Sequence, residues 1–218
     1  MKNILDFLKA LKQNNTREWF SKNKKLFEST KNNFNDIVET LIAGIAKHDK
    51  DIAGLEAKDS IFRIYRDIRF SKDKTPYKTN FGANMAPGGK KSGKTGYYIH
   101  IEPGGGSFLA GGIYMPPSEQ LKAVRQEIDY NIDEFKKIIQ DKNFVKYFRS
   151  ITGEKLKKAP QGYPPDHPNI ELLKFKSYIV MHKIKDSQLL DEGFIKYAID
   201  VFGAMRPFNW FLNRAVVN

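Results

Sequence analysis

What most constrains this chain is a change in the period of its apolar residues, from helical to alternating and back. Ile4, Leu5, Phe7, Leu8 and Leu11 recur at helical spacing and stop at Asn14-Asn15, so a short amphipathic helix comes first. From Thr16 a second stripe, carried by Trp19, Phe20, Leu26, Phe27, Phe34, Val38, Leu41 and Ile45, predicts one long helix of about thirty residues. That stripe is read as a core face rather than as a surface for a partner helix. Through 61–70 the period falls to two. Phe62, Ile64, Ile68 and Phe70 alternate with Arg63, Tyr65, Asp67 and Arg69, the pattern of a half-buried strand. Arg66 interrupts the apolar side, which marks a twist, a bulge or a sheet edge.

Two further runs, Gly96–Glu102 and Ser107–Tyr114, flank Pro103-Gly104-Gly105-Gly106 and read as a hairpin. Ser118 is placed to cap a helix through Leu121, Val124 and Ile128, and another helical stretch spans Phe135 to Phe148. Residues 153–168, with four prolines, form a wrapping segment rather than a tether. A late strand follows at Tyr178–Ile184, then a helix through Met205, which Pro207 separates from a last one. The expectation is an α+β fold with a largely antiparallel sheet flanked by helices and a long N-terminal helix, as a single domain over 1–218.

Composition narrows the function classes. With 40% hydrophobic and 13% aromatic residues the chain can build a core, and without cysteine it has no disulfide framework, thiolate nucleophile or Cys-based metal centre. No signal-peptide core or membrane-length apolar run is present, so the expectation is a cytoplasmic protein with no membrane association. Lys and Arg number 37 against 25 Asp and Glu, a net +12. Part of that excess is a Lys-rich surface, but residues 63–94 alone hold nine basic residues against Asp67 and Asp73.

Within that stretch, Gly88-Gly89-Lys90-Lys91-Ser92-Gly93-Lys94-Thr95 matches the P-loop pattern G-x-x-x-x-G-K-[ST]. A phosphate-binding P-loop needs a helix behind it, whose N-terminus faces the phosphates. Here the aromatic, β-branched Gly96–Ile101 follows, so a flexible basic hairpin loop is the better reading.

The segment Phe62–Asn80 is the most informative. On a strand, Arg63, Asp67 and Arg69 would share a face, with an acid between two guanidinium groups. Either Asp67 braces the arginines structurally, or it holds planar bidentate donors ready for a phosphate or carboxylate. Arg63, Arg66, Arg69, Lys74, Tyr77 and Lys78 are therefore the candidate anion-binding residues. For catalysis the candidates are Asp67, and His100 with Glu102, which share a strand face with Tyr98. His48, His100, His167 and His182 lack metal-ligand spacing, and no cofactor is implied.

The string FRIYRDIRFSKDKTPYKTNFGA, followed by GYYIHIEP, AGGIYMP and KAPQGYPPDHPNIELLKFKSY, resembles a widespread family of bacterial and fungal conserved hypothetical proteins, a domain of unknown function about as long as this chain. The resemblance implies that Arg63, Arg66, Asp67, Arg69, Lys74, Tyr77 and Lys78 belong to the family signature and gives none of them a role. Two functions are weighed: an enzyme acting on a phosphorylated or carboxylated small molecule, and a module that binds nucleic acid or another polyanion.

Overall fold

Four strands, β1 (Phe81–Met85), β2 (Gly96–Ile101), β3 (Phe108–Ile113) and β4 (Tyr178–Lys183), lie in chain order across one sheet, each antiparallel to its neighbour. The computed structural model describes residues 1–216; residues 217 and 218 of the expected 1–218 domain lie outside the described residues. Among those described, ten α-helices accompany the sheet, so the fold is α+β.

Helix α1 spans Lys2–Gln13 and buries the five apolar residues that define its stripe. The next stripe is not one helix but two, α2 (Arg17–Lys22) and α3 (Lys24–Ile45). Thr16 caps α2 by accepting from the Trp19 N–H at 3.2 Å, and the Asn23 side chain folds back to the Trp19 carbonyl at 2.9 Å. An Asn that satisfies the outgoing carbonyl in this way ends one helix while the apolar spacing carries on into the next. Beyond the short α4 (Ala57–Ser60) and the first three strands come α5 (Ser118–Tyr130), α6 (Ile132–Ile139) and α7 (Lys142–Phe148). Ser118 is the first residue of α5, with Pro117 at the cap position. Asp141 divides α6 from α7 by accepting from the Asn143 and Phe144 N–H groups. Two one-turn helices, α8 (Ile170–Leu173) and α9 (Asp186–Leu189), flank β4.

Helix α10 runs unbroken from Phe194 to Val216 with Pro207 inside it, against the expectation of two helices. Proline deprives the carbonyl one turn earlier of its donor. That residue is Gly203, and both Gly203 and Pro207 are exposed, so water can take the carbonyl while the buried stripe continues on the other side. Val201, Phe202, Met205, Phe208, Phe211 and Leu212 of that stripe are buried. They meet the inner face of the sheet, where Tyr97, Ile99, Ile101 and Leu109 point, and α3 closes the same core with Phe34, Val38 and Leu41.

The expected strand at 61–70 does not form. Only isolated bridges, Ile61 to Ala83 and Tyr65 to Tyr77, join this stretch to its surroundings. The chain makes an irregular two-sided ribbon with hydrogen bonds from Phe62 N–H to Gly82, Lys78 N–H to Ile64 and Arg66 N–H to Pro76. Its alternation is not a burial pattern: Ile64 is buried, but Phe70 is 96% exposed. The sheet edge is instead β1, whose composition, Phe-Gly-Ala-Asn-Met, carries little β signal.

Candidate functional site

Strand parity turns Tyr98, His100 and Glu102 away from the helices. The register places Tyr98 opposite Asn84 and Ala110, and His100 opposite Gly82 and Phe108. On β4, Ile179 and Met181 complete this face. Its side chains are half-buried where the inner face is buried, and over it lies a hollow of about 790 Å³, the size of a small-molecule site. The floor combines Tyr98, Phe108 and the backbone around Ala110 to Gly112, Phe62 stands at the side, and Lys78, Lys90, Lys91 and Lys94 surround it.

The loop that carries three of these lysines is the P-loop look-alike. A strand precedes it and a strand follows it, so no helix N-terminus faces a phosphate. Thr95 is buried and its hydroxyl donates to the Asn209 carbonyl at 3.1 Å, while Asn213 accepts its N–H at 2.8 Å and Asn209 Nδ2 reaches the Gly96 carbonyl at 2.9 Å. Lys90 Nζ donates to the Lys58 carbonyl at 3.0 Å and Gln120 Nε2 to the Gly93 carbonyl at 2.8 Å. The loop is therefore tied to α4, α5 and α10, which fixes the rim of the hollow.

A hydrogen-bonded chain runs along the same sheet face and ends at Tyr98 of the floor. Thr79 Oγ1 donates to Glu102 Oε1 at 3.1 Å, His100 Nε2 lies 3.2 Å from Glu102 Oε2, and His100 Nδ1 lies 3.1 Å from the Tyr98 hydroxyl. A carboxylate only accepts, so a neutral His100 carries its hydrogen on Nε2 and its Nδ1 accepts from Tyr98. Burial raises the Tyr98 phenol above its usual range, which keeps it a donor. The His100 ring stacks on Phe108 at 4.5 Å, and the Tyr98 hydroxyl occupies the space a Cβ at Gly82 would need, 2.5 Å from its ideal position.

Arg66 and Arg69 lie elsewhere, at the tip of the 61–80 ribbon. Arg69 makes two bonds to Asp67, at 2.9 and 2.6 Å, and Arg66 pairs with Asp73 and bonds Thr75. Lys74 Nζ donates to the Ile68 carbonyl at 3.0 Å. Arg63 is exposed and acts on Asp67 through its charge alone. Tyr77 is buried, stacked on Phe20 at 3.9 Å and 12°. Of the six candidate anion-binding residues, Lys78 alone lines the hollow. Of the three catalytic candidates, His100 and Glu102 come together on the same sheet face, outside the lining of the hollow, and Asp67 does not. Lys90, Lys91 and Lys94 were visible as part of the basic stretch; what the sequence concealed was that β1 and β2 fold their loop back over Tyr98.

The ribbon tip has a testable acid response. Arg66 and the Thr75 N–H and hydroxyl hold the Asp73 carboxyl down from 3.8 to about 2. A depressed carboxyl favours the folded tip above its ordinary value and loses that contribution as pH falls through about 2. Carboxyl NMR is expected to give an Asp73 midpoint near 2, and Arg66→Ala to return it toward 3.8. An unchanged midpoint in the variant would remove Arg66 as the cause.

His167 pairs with Asp129 of α5 at 3.0 Å rather than with its neighbour Asp166, and its Nδ1 accepts the Asn169 N–H at 3.2 Å. It anchors the proline-rich segment. Among the described residues no group of three or more His, Asp or Glu side chains could hold a metal ion, and no helix is long and apolar enough to cross a membrane. No curated protein and no solved structure matches this chain. The family described as conserved hypothetical protein (DUF2461) matches residues 3–211.

Proposed function

The chain belongs to the DUF2461 family of conserved hypothetical proteins, a membership that assigns no chemistry, and on the geometry above we propose that its open sheet face binds a small anion bearing a flat apolar group. The carrying observation is the coincidence of two features in one hollow: a floor of Tyr98 and Phe108 beside Phe62, and a surround of Lys78, Lys90, Lys91 and Lys94. Lysines supply charge to a phosphate or carboxylate, and aromatic faces take a planar group. Under this reading the Glu102–His100 pair works through Tyr98: the phenol oxygen takes a proton from bound substrate as its own hydrogen passes to His100 Nδ1, and Glu102 stabilises the imidazolium. The protein would thus be an enzyme on a phosphorylated or carboxylated small molecule.

The arginines contribute less to this reading than their number suggests, since Arg66 and Arg69 already hold carboxylates. Titration with 4-nitrophenyl phosphate, inorganic phosphate and 4-nitrophenol tests it. The aryl phosphate is expected to bind at least about tenfold tighter than either half, and replacing Lys90, Lys91 and Lys94 together by Ala to weaken it by about tenfold or more. Equal affinity for phosphate alone would remove the aromatic floor from the site. If single-stranded oligonucleotides bind instead, with affinity falling steeply in salt, the face serves as a nucleic-acid module.

A further inference from the structure

We propose that Lys78 is an amine nucleophile that forms an imine with carbonyl compounds carrying an anionic group. This rests on the reading of the open face as an anion site and names the substrate class for it.

Lys78 is held unlike the other lysines of the hollow. Its N–H donates to the Ile64 carbonyl at 2.8 Å. On one side Tyr77 is stacked on Phe20, and both its backbone N–H and its carbonyl are bonded by the Asn15 side chain, at 3.2 and 2.9 Å. On the other side Thr79 is fixed by Glu102. A backbone anchored before and after the residue fixes the point from which its side chain reaches the hollow. Its ammonium sits 5.7 Å from the centre of the Phe62 ring, and Lys78 takes part in none of the side-chain ion pairs among the described residues.

A half-buried lysine beside an arginine and without a carboxylate is the arrangement that favours a free amine. Burial first, and the Arg63 charge second, lower Lys78 from the usual lysine range, while the Phe62 face acts in the opposite sense. Arg63 thereby gains a role that needs no contact with ligand.

The step balances without a further reactant. The Nζ lone pair attacks the carbonyl carbon, a C–N bond forms and the carbonyl π pair moves to oxygen. The two amine hydrogens leave with that oxygen as water, and C=N remains. Tyr98, which lines the same hollow and whose ring packs against Phe62 at 6.2 Å, would serve the proton transfers. Lys90, Lys91 and Lys94 would hold the anionic group.

Pyridoxal 5′-phosphate, an aromatic aldehyde with a phosphate, is a suitable probe. The full chain is incubated with it near pH 7, reduced with borohydride, which adds hydride across C=N, and mapped by mass spectrometry. The expected result is an adduct at Lys78 in at least about tenfold excess over any other lysine, suppressed by inorganic phosphate, and absent in Lys78→Arg. Arg63→Ala is expected to slow its formation. Adducts concentrated on Lys91 or Lys94, or spread evenly over the lysines, overturn the proposal. So does a wild-type protein that binds 4-nitrophenyl phosphate and yields no adduct, in which case the anion site stands and the nucleophile falls. Absence of both binding and adduct removes the two together.

Discussion

Gly112→Ala is expected to cost at least about 3 kcal/mol of stability, or to prevent folding, because it combines a steric and a conformational penalty. Gly112 has φ of +102° and a Cβ there would lie 2.0 Å from the Tyr178 carbonyl oxygen, with Ile179 Cα and Phe208 Cε1 each at 3.0 Å. Two of these neighbours belong to β4, paired with β3 along the whole strand, so the clash can be relieved only by moving a strand. Gly104→Ala separates the two penalties. Its φ is +86°, yet nothing lies within 4 Å of its Cβ position, so it is expected to cost only about 1 kcal/mol. Urea unfolding of both variants reads the difference. Equal losses would mean that the sheet yields at Gly112 and that close strand approach is not what the glycine secures.

The second large effect is expected at Phe208, on the other side of the same glycine. Phe208 is fully buried and its ring lies 5.7 Å from Phe144 and 6.1 Å from Phe135. It sits where α10 meets the sheet, and Phe208→Ala would leave a cavity between them, at a cost of about 3–5 kcal/mol. Phe70→Ala, at a ring 96% exposed, is expected to leave the unfolding midpoint unchanged within about 0.5 kcal/mol. Phe208 is not among the residues that line the proposed ligand hollow and meets it only from beneath, at the Gly112 backbone. Any folded fraction of Phe208→Ala should therefore bind 4-nitrophenyl phosphate with wild-type affinity, and a weakened affinity in the folded fraction would show that α10 sets the shape of the open face.

Periodicity served the helices and the hairpin well, and its failures have particular causes. The stripe from Trp19 to Ile45 keeps its spacing across Asn23, where a side-chain hydrogen bond breaks the helix without disturbing the apolar rhythm. Pro207 reads as a boundary, yet its helix continues because the residue one turn back is an exposed glycine. At 61–70 the alternation is real but belongs to a ribbon rather than a sheet strand, while the true edge strand β1 is masked by Gly82, Ala83 and Asn84. The Gly there accommodates the Tyr98 hydroxyl, so the position that hides the strand from sequence is one that the site needs. For the site itself, parity correctly gathered Tyr98, His100 and Glu102. It also grouped Arg63, Asp67 and Arg69, but Asp67 and Arg69 pair locally across two residues. The lysines of the hollow come from two loops whose meeting depends on the register of β1 with β2, which no local pattern encodes.

The position of α10 in the chain has a consequence for how the protein is made. The inner face of the sheet, with Tyr97, Ile99 and Leu109, and the apolar side of α3 share a covering element that is synthesised after both. During translation, all four strands leave the ribosome before the helix that shields them. Until Phe194–Val216 emerges, a growing chain carries a sheet with apolar groups on both faces in water, the kind of intermediate that chaperones recognise.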